Sequence, residues 1–154
     1  MKQFIIIALV AVLGLILLIS GYLMLQGYLS RSDSPPGLSD GRLTPCGEKP
    51  NAVCSETGTD TAHFVEPVGL CLLSMSSVVA DVESLGGKVI HVETGYLAAE
   101  FSSSVFGFVD DLELRKDSVA GVIHIRSASR VGYSDMGVNR KRAEQLRALL
   151  EGQQ

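Results

Sequence analysis

The chain has 154 residues, of which 46% are hydrophobic and 19% charged, and a formal net charge of −4. Beyond residue 28, past one long apolar stretch, about 125 residues remain, the size of a single domain core. That remainder carries 12 basic and 17 acidic residues, which excludes general nucleic-acid binding, since such binding needs a broad basic surface.

Phe4 to Leu25 contains no charge and is dominated by Ile, Leu, Val and Ala. As a helix it would be about 33 Å long, enough for a bilayer core of roughly 30 Å. A cleaved signal peptide has a shorter apolar core and ends at a small-x-small site. The exit here, Gly21 to Tyr28, offers no such site, and no cysteine lies near it for a lipoprotein anchor. An uncleaved single-pass anchor over residues 1–28 is therefore expected, with Tyr22 and Tyr28 at the far interface. Lys2 and the amino terminus are the only charges before the span. The very short N-terminal tail favours a cytoplasmic N-terminus. The expected setting is the inner (plasma) membrane, with the rest of the chain on its periplasmic, extracytoplasmic side.

Residues 29–44 are rich in Ser, Pro, Gly and Asp and have no apolar period, so they are expected to form a flexible tether. A globular domain should occupy residues 45–152. Its first part, 45–70, should be irregular, because Pro45, Pro50 and Pro67 interrupt any long element. Ser74–Leu85 reads as a helix: Met75, Val78, Val79, Val82 and Leu85 form an apolar stripe, Ser74 can cap it, and Gly86-Gly87 can stop it. Four strands follow. Lys88–Glu93 and Tyr96–Phe101 flank a turn at Thr94-Gly95. Phe108–Arg115 and Val119–Ala128 turn near Lys116-Asp117-Ser118. The last element is a helix from Val138 to Gly152, with Ala143, Leu146, Leu149 and Leu150 buried and Asp135 or Asn139 as cap.

The predicted fold is α+β, in the order α-β-β-β-β-α: an antiparallel four-stranded sheet with two helices packed on one face, preceded by the N-terminal transmembrane helix. Strand alternation sends Leu97, Ala99, Phe101, Leu112, Leu114, Ile123 and Ile125 inward. Tyr96, Glu100, Asp111, Glu113, Arg115, His124 and Arg126 would face outward, and His91 would join them if Ile90 and Val92 are buried. The plain reading of that outer face is a solvated surface with cross-strand charge pairs.

The richest polar stretch is Arg126-Ser-Ala-Ser-Arg-Val-Gly-Tyr-Ser-Asp-Met-Gly-Val-Asn-Arg-Lys-Arg142, between the last strand and the last helix. Residues 30–125 hold 6 basic and 14 acidic residues, whereas residues 126–147 hold 6 basic and 2 acidic, a local net of +4. Arginine forks bind carboxylate or phosphate bidentately, serine hydroxyls add donors, and a helix N-terminus favours negative charge. Arg126, Ser127, Ser129, Arg130, Ser134, Asp135, Asn139 and Arg140 are therefore candidate binding residues for an anionic small molecule, a lipid headgroup or an envelope protein. The plain alternative is an internal network tying this run to Asp110, Asp111 and Glu113. An inward-pointing Asp110 would need such a partner.

Catalytic patterns are sparse. Cys54 with His63, oriented by Asp60, could serve as nucleophile and base, and Asp111 with Glu113 share a strand face, so a hydrolase-like enzyme is the alternative function. No catalytic motif surrounds these residues. Metal-ligand spacings such as Cys-x2-Cys are absent, and Asp60-x-x-His63 is a two-ligand fragment, so no metal and no cofactor are expected. Cys46 and Cys54 are the most local cysteine pair and read as a structural disulfide or as two reduced thiols, with Cys71 left over.

Three segments in order resemble the domain-of-unknown-function family DUF1499. Cys46-Gly-Glu-Lys-Pro-Asn-Ala-Val-Cys54-Ser55 is similar to the family's cysteine-bearing opening, although Ala52 stands where the family has a cysteine. Phe106-Gly-Phe-Val-Asp-Asp-Leu-Glu113 is similar to its Phe-Asp-Asp-x-Glu strand, and Arg126–Arg142 to its signature. The resemblance covers about residues 43–150 and implies a fold and an envelope setting. It supplies no substrate, because the family has no established activity. The combined expectation is a membrane-anchored, non-catalytic domain that binds an anionic ligand or partner protein through Arg126–Arg142.

Overall fold

The apolar run forms one unbroken helix, α1 (Lys2–Ser30), in the computed structural model, which describes residues 1–69 and 73–152. An 18-residue window of α1 has mean hydropathy 3.0 and is not buried. The helix is thus long and apolar enough to cross a bilayer, a property that signal sequences share. Its last turn belongs to the domain. Gly27 and Ser30 are buried, the Val109 N–H donates to Ser30 Oγ at 3.1 Å, and Arg130 Nη1 donates to the Ser30 carbonyl at 3.1 Å.

The domain is built on a five-stranded antiparallel sheet, not four. The strands are β3 (Ala52–Cys54), β4 (Lys88–Val92), β5 (Tyr96–Ser102), β6 (Val109–Asp117) and β7 (Val122–Ser129), in spatial order β3-β7-β6-β5-β4. The added strand, β3, is three residues long and pairs Val53 with Ser127. Three residues cannot display an alternating period, so the stretch read as irregular. The two helices α2 (Met75–Ser84) and α3 (Val138–Glu151) carry the buried stripes Met75/Val78/Val82 and Ala143/Leu146/Leu150 into one core with Leu97, Ala99, Leu112, Leu114, Ile123 and Ile125. Both helices thus pack on the inner face of the sheet. Ser74 Oγ caps α2 by accepting from Ser77 N–H at 3.1 Å, and Gly86, at φ +90°, ends the turn that follows.

Of the local expectations, the burial of Leu149 is overturned, the condition on Ile90 and Val92 is not met, and the cap of the last helix is decided between its two candidates. Leu149 is 39% exposed, because it lies off the stripe that faces the sheet. Ile90 and Val92 are exposed too: β4 is an edge strand with an irregularity between Val89 and His91. His91 nevertheless pairs with Ala98 and lies 5.8 Å from the Tyr96 ring, on the outer face. Asn139 is wholly buried within α3 and does not cap it. Asp135 does so from before the helix, accepting from Gly137 N–H at 3.0 Å and Asn139 N–H at 2.6 Å.

The largest difference concerns the segment read as a tether. It contains a small hairpin, β1 (Leu38–Ser39) with β2 (Arg42–Leu43). Leu43 is buried, and the Gly37 N–H donates to Glu113 Oε1 at 2.8 Å. The outer face of the sheet is therefore covered over its centre. Composition alone predicts no structure here, because the bonds that order the segment come from residues far along the chain. Cys71, the third thiol, lies outside the described residues.

Leu146 is fully buried between α3 and the sheet. Leu146→Ala should cost about 2–5 kcal/mol in denaturant unfolding. A change within measurement error would show that α3 is not docked.

Candidate functional site

Alternation along β6 and β7 creates two separate polar layers. On the inner face, beyond the aliphatic core, Asp110 meets Arg142 at 2.9 Å, and the Arg142 guanidinium also lies 4.2 Å over the Phe101 ring. Ser127 Oγ donates to Asn139 Oδ1 at 2.7 Å and accepts from Arg142 Nη1 at 2.9 Å. The Asn139 amide donates to the Asn51 carbonyl and to Ser129 Oγ, both at 3.0 Å. Asp110, Ser127, Asn139 and Arg142 on this inner face thereby all have partners, as burial requires. Asp110 does point inward, with the partner that such a position needs.

On the outer face, Glu113 is fully buried. It accepts from Arg126 Nη1 at 2.8 Å, from the Tyr96 hydroxyl at 2.7 Å and from Gly37 N–H. Burial, then the bond to Glu113, pushes the Tyr96 phenol well above its usual range. Arg130 grips Asp111 through Nε at 3.0 Å and Nη2 at 2.7 Å, and reaches Glu100 at 2.7 Å and the Ser30 carbonyl at 3.1 Å. A third node is Glu56, which accepts from Arg115 Nε at 2.7 Å, from Arg42 Nε at 3.1 Å and from Leu43 N–H at 3.1 Å. Burial works against the Glu56 carboxylate, but these donors prevail and hold its pKa below the ordinary range. His124 lies 3.9 Å from Glu56, with Nδ1 3.1 Å from the Ser55 carbonyl. The cross-strand charge pairs foreseen for this face are present, but beneath a cover rather than in solvent.

Most of the Arg126–Arg142 candidates thus sit in internal networks. Arg126, Ser127, Ser129 and Arg130 face other parts of the domain; Ser134 and Asp135 shape the loop before α3, Ser134 Oγ accepting from Met136 N–H at 3.3 Å. Arg140 differs. Its two terminal nitrogens donate to the Phe64 and Ala62 carbonyls, each at 2.7 Å. Of the five arginines between residues 126 and 147, Arg140 alone has no carboxylate partner among the described residues. It lines a cavity of about 300 Å³ together with His63, Tyr133 and Asp135. Tyr133 is 72% exposed and Met136 97% exposed. Met136 adopts φ +55°, between Gly132 at +91° and Gly137 at +81°, so the loop holds a conformation that L-residues rarely take.

Of the hydrolase-like constellations, the Asp60–His63 pair forms as expected. His63 Nδ1 is 2.7 Å from Asp60 and Nε2 is 3.1 Å from the Lys49 carbonyl. Both nitrogens face acceptors, and the bond to Asp60 raises the pKa of the ring. Cys54 instead takes a hydrogen bond from Cys46, which lowers its thiol to about 7. The two cysteines are free thiols in mutual contact. Asp111 and Glu113 share the outer face but are gripped by different arginines. Among the described residues no group of three or more His, Cys, Asp and Glu side chains comes together to hold a metal.

Sequence reasoning did not single out Glu56, Asn51, Ser30 or Arg142. A signal existed for Arg142: with Asn139 it lies on the stripe that carries Ala143 and Leu146, so a polar partner across the interface was required. No pattern marks a lone Glu56 or Ser30.

A small α+β domain, with buried ion pairs on its sheet and an apolar helix at its N-terminus, is the class that this geometry defines. Residues 42–150 match the family described as protein of unknown function (DUF1499), and the chain belongs to that family. No curated protein and no solved structure matches the chain.

Arg130→Ala would strand the buried Asp111 carboxylate and the Ser30 carbonyl. It should lower stability by about 3–5 kcal/mol; an unchanged melting temperature would refute the clamp.

Glu56 supplies a pH dependence. Its folded pKa lies below the ordinary 4.5, so its contribution is complete above that value and is lost as pH falls through the folded pKa. Melting temperatures followed down from neutral pH should fall for the wild type in that acid window. Glu56→Gln should start lower at neutral pH and fall less. Parallel curves would mean that Glu56 does not pin the hairpin.

Proposed function

We propose that this chain is a single-pass membrane protein whose extracytoplasmic domain is non-catalytic and binds an acidic group of a partner at the Tyr133–Arg140 cavity. The observation that carries this reading is the unmatched charge of Arg140. The other arginines of the signature, Arg126, Arg130 and Arg142, are neutralised by carboxylates, whereas Arg140 is held only by carbonyl dipoles. Next to it stand His63, bonded to Asp60 at 2.7 Å, and the exposed Tyr133. A guanidinium already oriented by two backbone bonds loses little freedom on meeting a carboxylate. The exposed Tyr133 and Met136 add contact area around that point, as anchors of a protein interface do.

Retention of α1 is favoured by the burial of Ser30. Removing the helix would leave the Val109 N–H and one Arg130 donor without their acceptors, a cost that a leader peptide, made to be discarded, has no reason to impose.

A tri-glutamate peptide is a suitable probe. Titrated into the full chain in micelles, it should shift the His63 and Tyr133 ring resonances. Arg140→Gln should weaken binding by about tenfold or more, since a charge-assisted hydrogen bond contributes about 1.5–3 kcal/mol. Absence of these shifts, or equal binding by the variant, would remove the acidic-group reading.

A further inference from the structure

Beyond the bond between Ser30 and Val109, α1 touches the domain at the loop between β5 and β6, Ser103-Ser-Val-Phe-Gly-Phe108. A Cβ at Gly27 would collide with the Phe106 carbonyl, and a Cβ at Gly107 would collide with the Arg31 guanidinium. The helix and the loop therefore meet in direct backbone contact, a closeness that only glycine permits. The loop carries no charge. It is tightly bonded: Ser103 N–H donates to the Phe108 carbonyl at 2.8 Å, Gly107 N–H to the Ser103 carbonyl at 3.1 Å, and Phe108 N–H to Ser103 Oγ at 3.0 Å. The Phe106 and Phe108 rings lie 5.9 Å apart, and Val105 is 72% exposed.

Helix length sets the depth of this loop. From Gln3 to Ser30 α1 has no charged residue, a rod of about 42 Å at 1.5 Å per residue. A hydrocarbon core of roughly 30 Å accepts about 20 of those residues, and the headgroup layers must take the rest. Gly27 is three residues from the C-terminal end of α1, about 5 Å along the axis. The backbone held against Gly27 therefore lies at headgroup depth whichever way the span is oriented. The opposite end of the sheet, where Lys116 and Asp117 lead into the β6–β7 turn, carries charge and exposes Val119.

We infer that the Ser103–Phe108 loop is a second membrane contact, which inserts Val105 and Phe106 into the lipid interface beside α1 and so fixes the tilt of the domain on the bilayer. The inference rests on α1 being a membrane span. Its occupant is the bilayer that the same chain enters. Arg31, packed on Gly107 at that level, suits a lipid phosphate.

The chain contains no tryptophan, so single introduced tryptophans report without background. Leu15→Trp, Val105→Trp and Val119→Trp would each be reconstituted as full chains in phospholipid vesicles containing spin-labelled lipids. Leu15→Trp should be quenched by labels at the bilayer centre. Val105→Trp should show blue-shifted emission and be quenched by headgroup-proximal labels several-fold more than Val119→Trp. If Leu15→Trp is quenched while Val105→Trp behaves like Val119→Trp, the second contact is overturned and the span survives. If Leu15→Trp itself is not quenched, the span fails and this inference fails with it.

Discussion

The structure depends on one constraint: charge buried on the outer face of the sheet must be met by opposite charge. Asp111, Glu113 and Glu56 are all removed from water, and each is held by a guanidinium. An unpartnered buried charge costs about 3–5 kcal/mol, against a total stability of about 5–15 kcal/mol for a domain of this kind. Loss of a single partner therefore removes a large fraction of the folding free energy. The same carboxylates also take donors from the covering chain, Gly37 N–H on Glu113 and Leu43 N–H on Glu56. Through Arg130 the layer reaches the Ser30 carbonyl. Apolar helix, covering hairpin and sheet are thus joined by one set of ion pairs rather than by a second hydrophobic core.

This arrangement accounts for most of the polar richness of Arg126–Arg142. A junction between a strand and a helix needs few hydrogen-bonding groups, but this one also bridges Asn51, Asp110, Asp111 and Glu113. Once those bonds are made, the parts of the segment that remain outward include the Tyr133–Met136 loop, Val138, Lys141 and the half-buried, carbonyl-held Arg140. Rigidity beneath the loop would serve the proposed recognition, because a preorganised contact surface loses less entropy on binding. The Ser30 joint has a related effect: a domain gripping the last turn of its helix cannot swing freely about that helix.

Much of the fold was legible in the sequence. The stripe of α2, the turn at Thr94-Gly95 and the alternation along β6 and β7 are local patterns with periods of 3.6 and 2, and they place both helices on one face of an antiparallel sheet. The fifth strand was not legible, since Ala52–Cys54 is too short to show a period and takes its form from β7. Nor was the folded state of residues 37–43. Its defining bonds span 76 residues from Gly37 to Glu113 and 14 from Arg42 to Glu56, and no local window contains such pairs. The site was legible as a place but not as a role. Sequence pointed to Arg126–Arg142, yet whether an arginine faces a ligand or its own domain depends on which carboxylates the sheet register brings opposite. The register sets Glu113 against Arg126, and Arg130, just past the end of β7, folds back onto Asp111.

Amide hydrogen exchange on the full chain in micelles tests the union of helix, cover and sheet most directly. The Gly37, Leu43 and Val109 N–H groups are the ones that bond across those parts. If the three parts fold as one unit, these amides should be protected nearly as well as those in the centre of β6. Exchange of all three at the rate of an unstructured loop, with β6 still protected, would contradict the account and return residues 31–44 to a free tether.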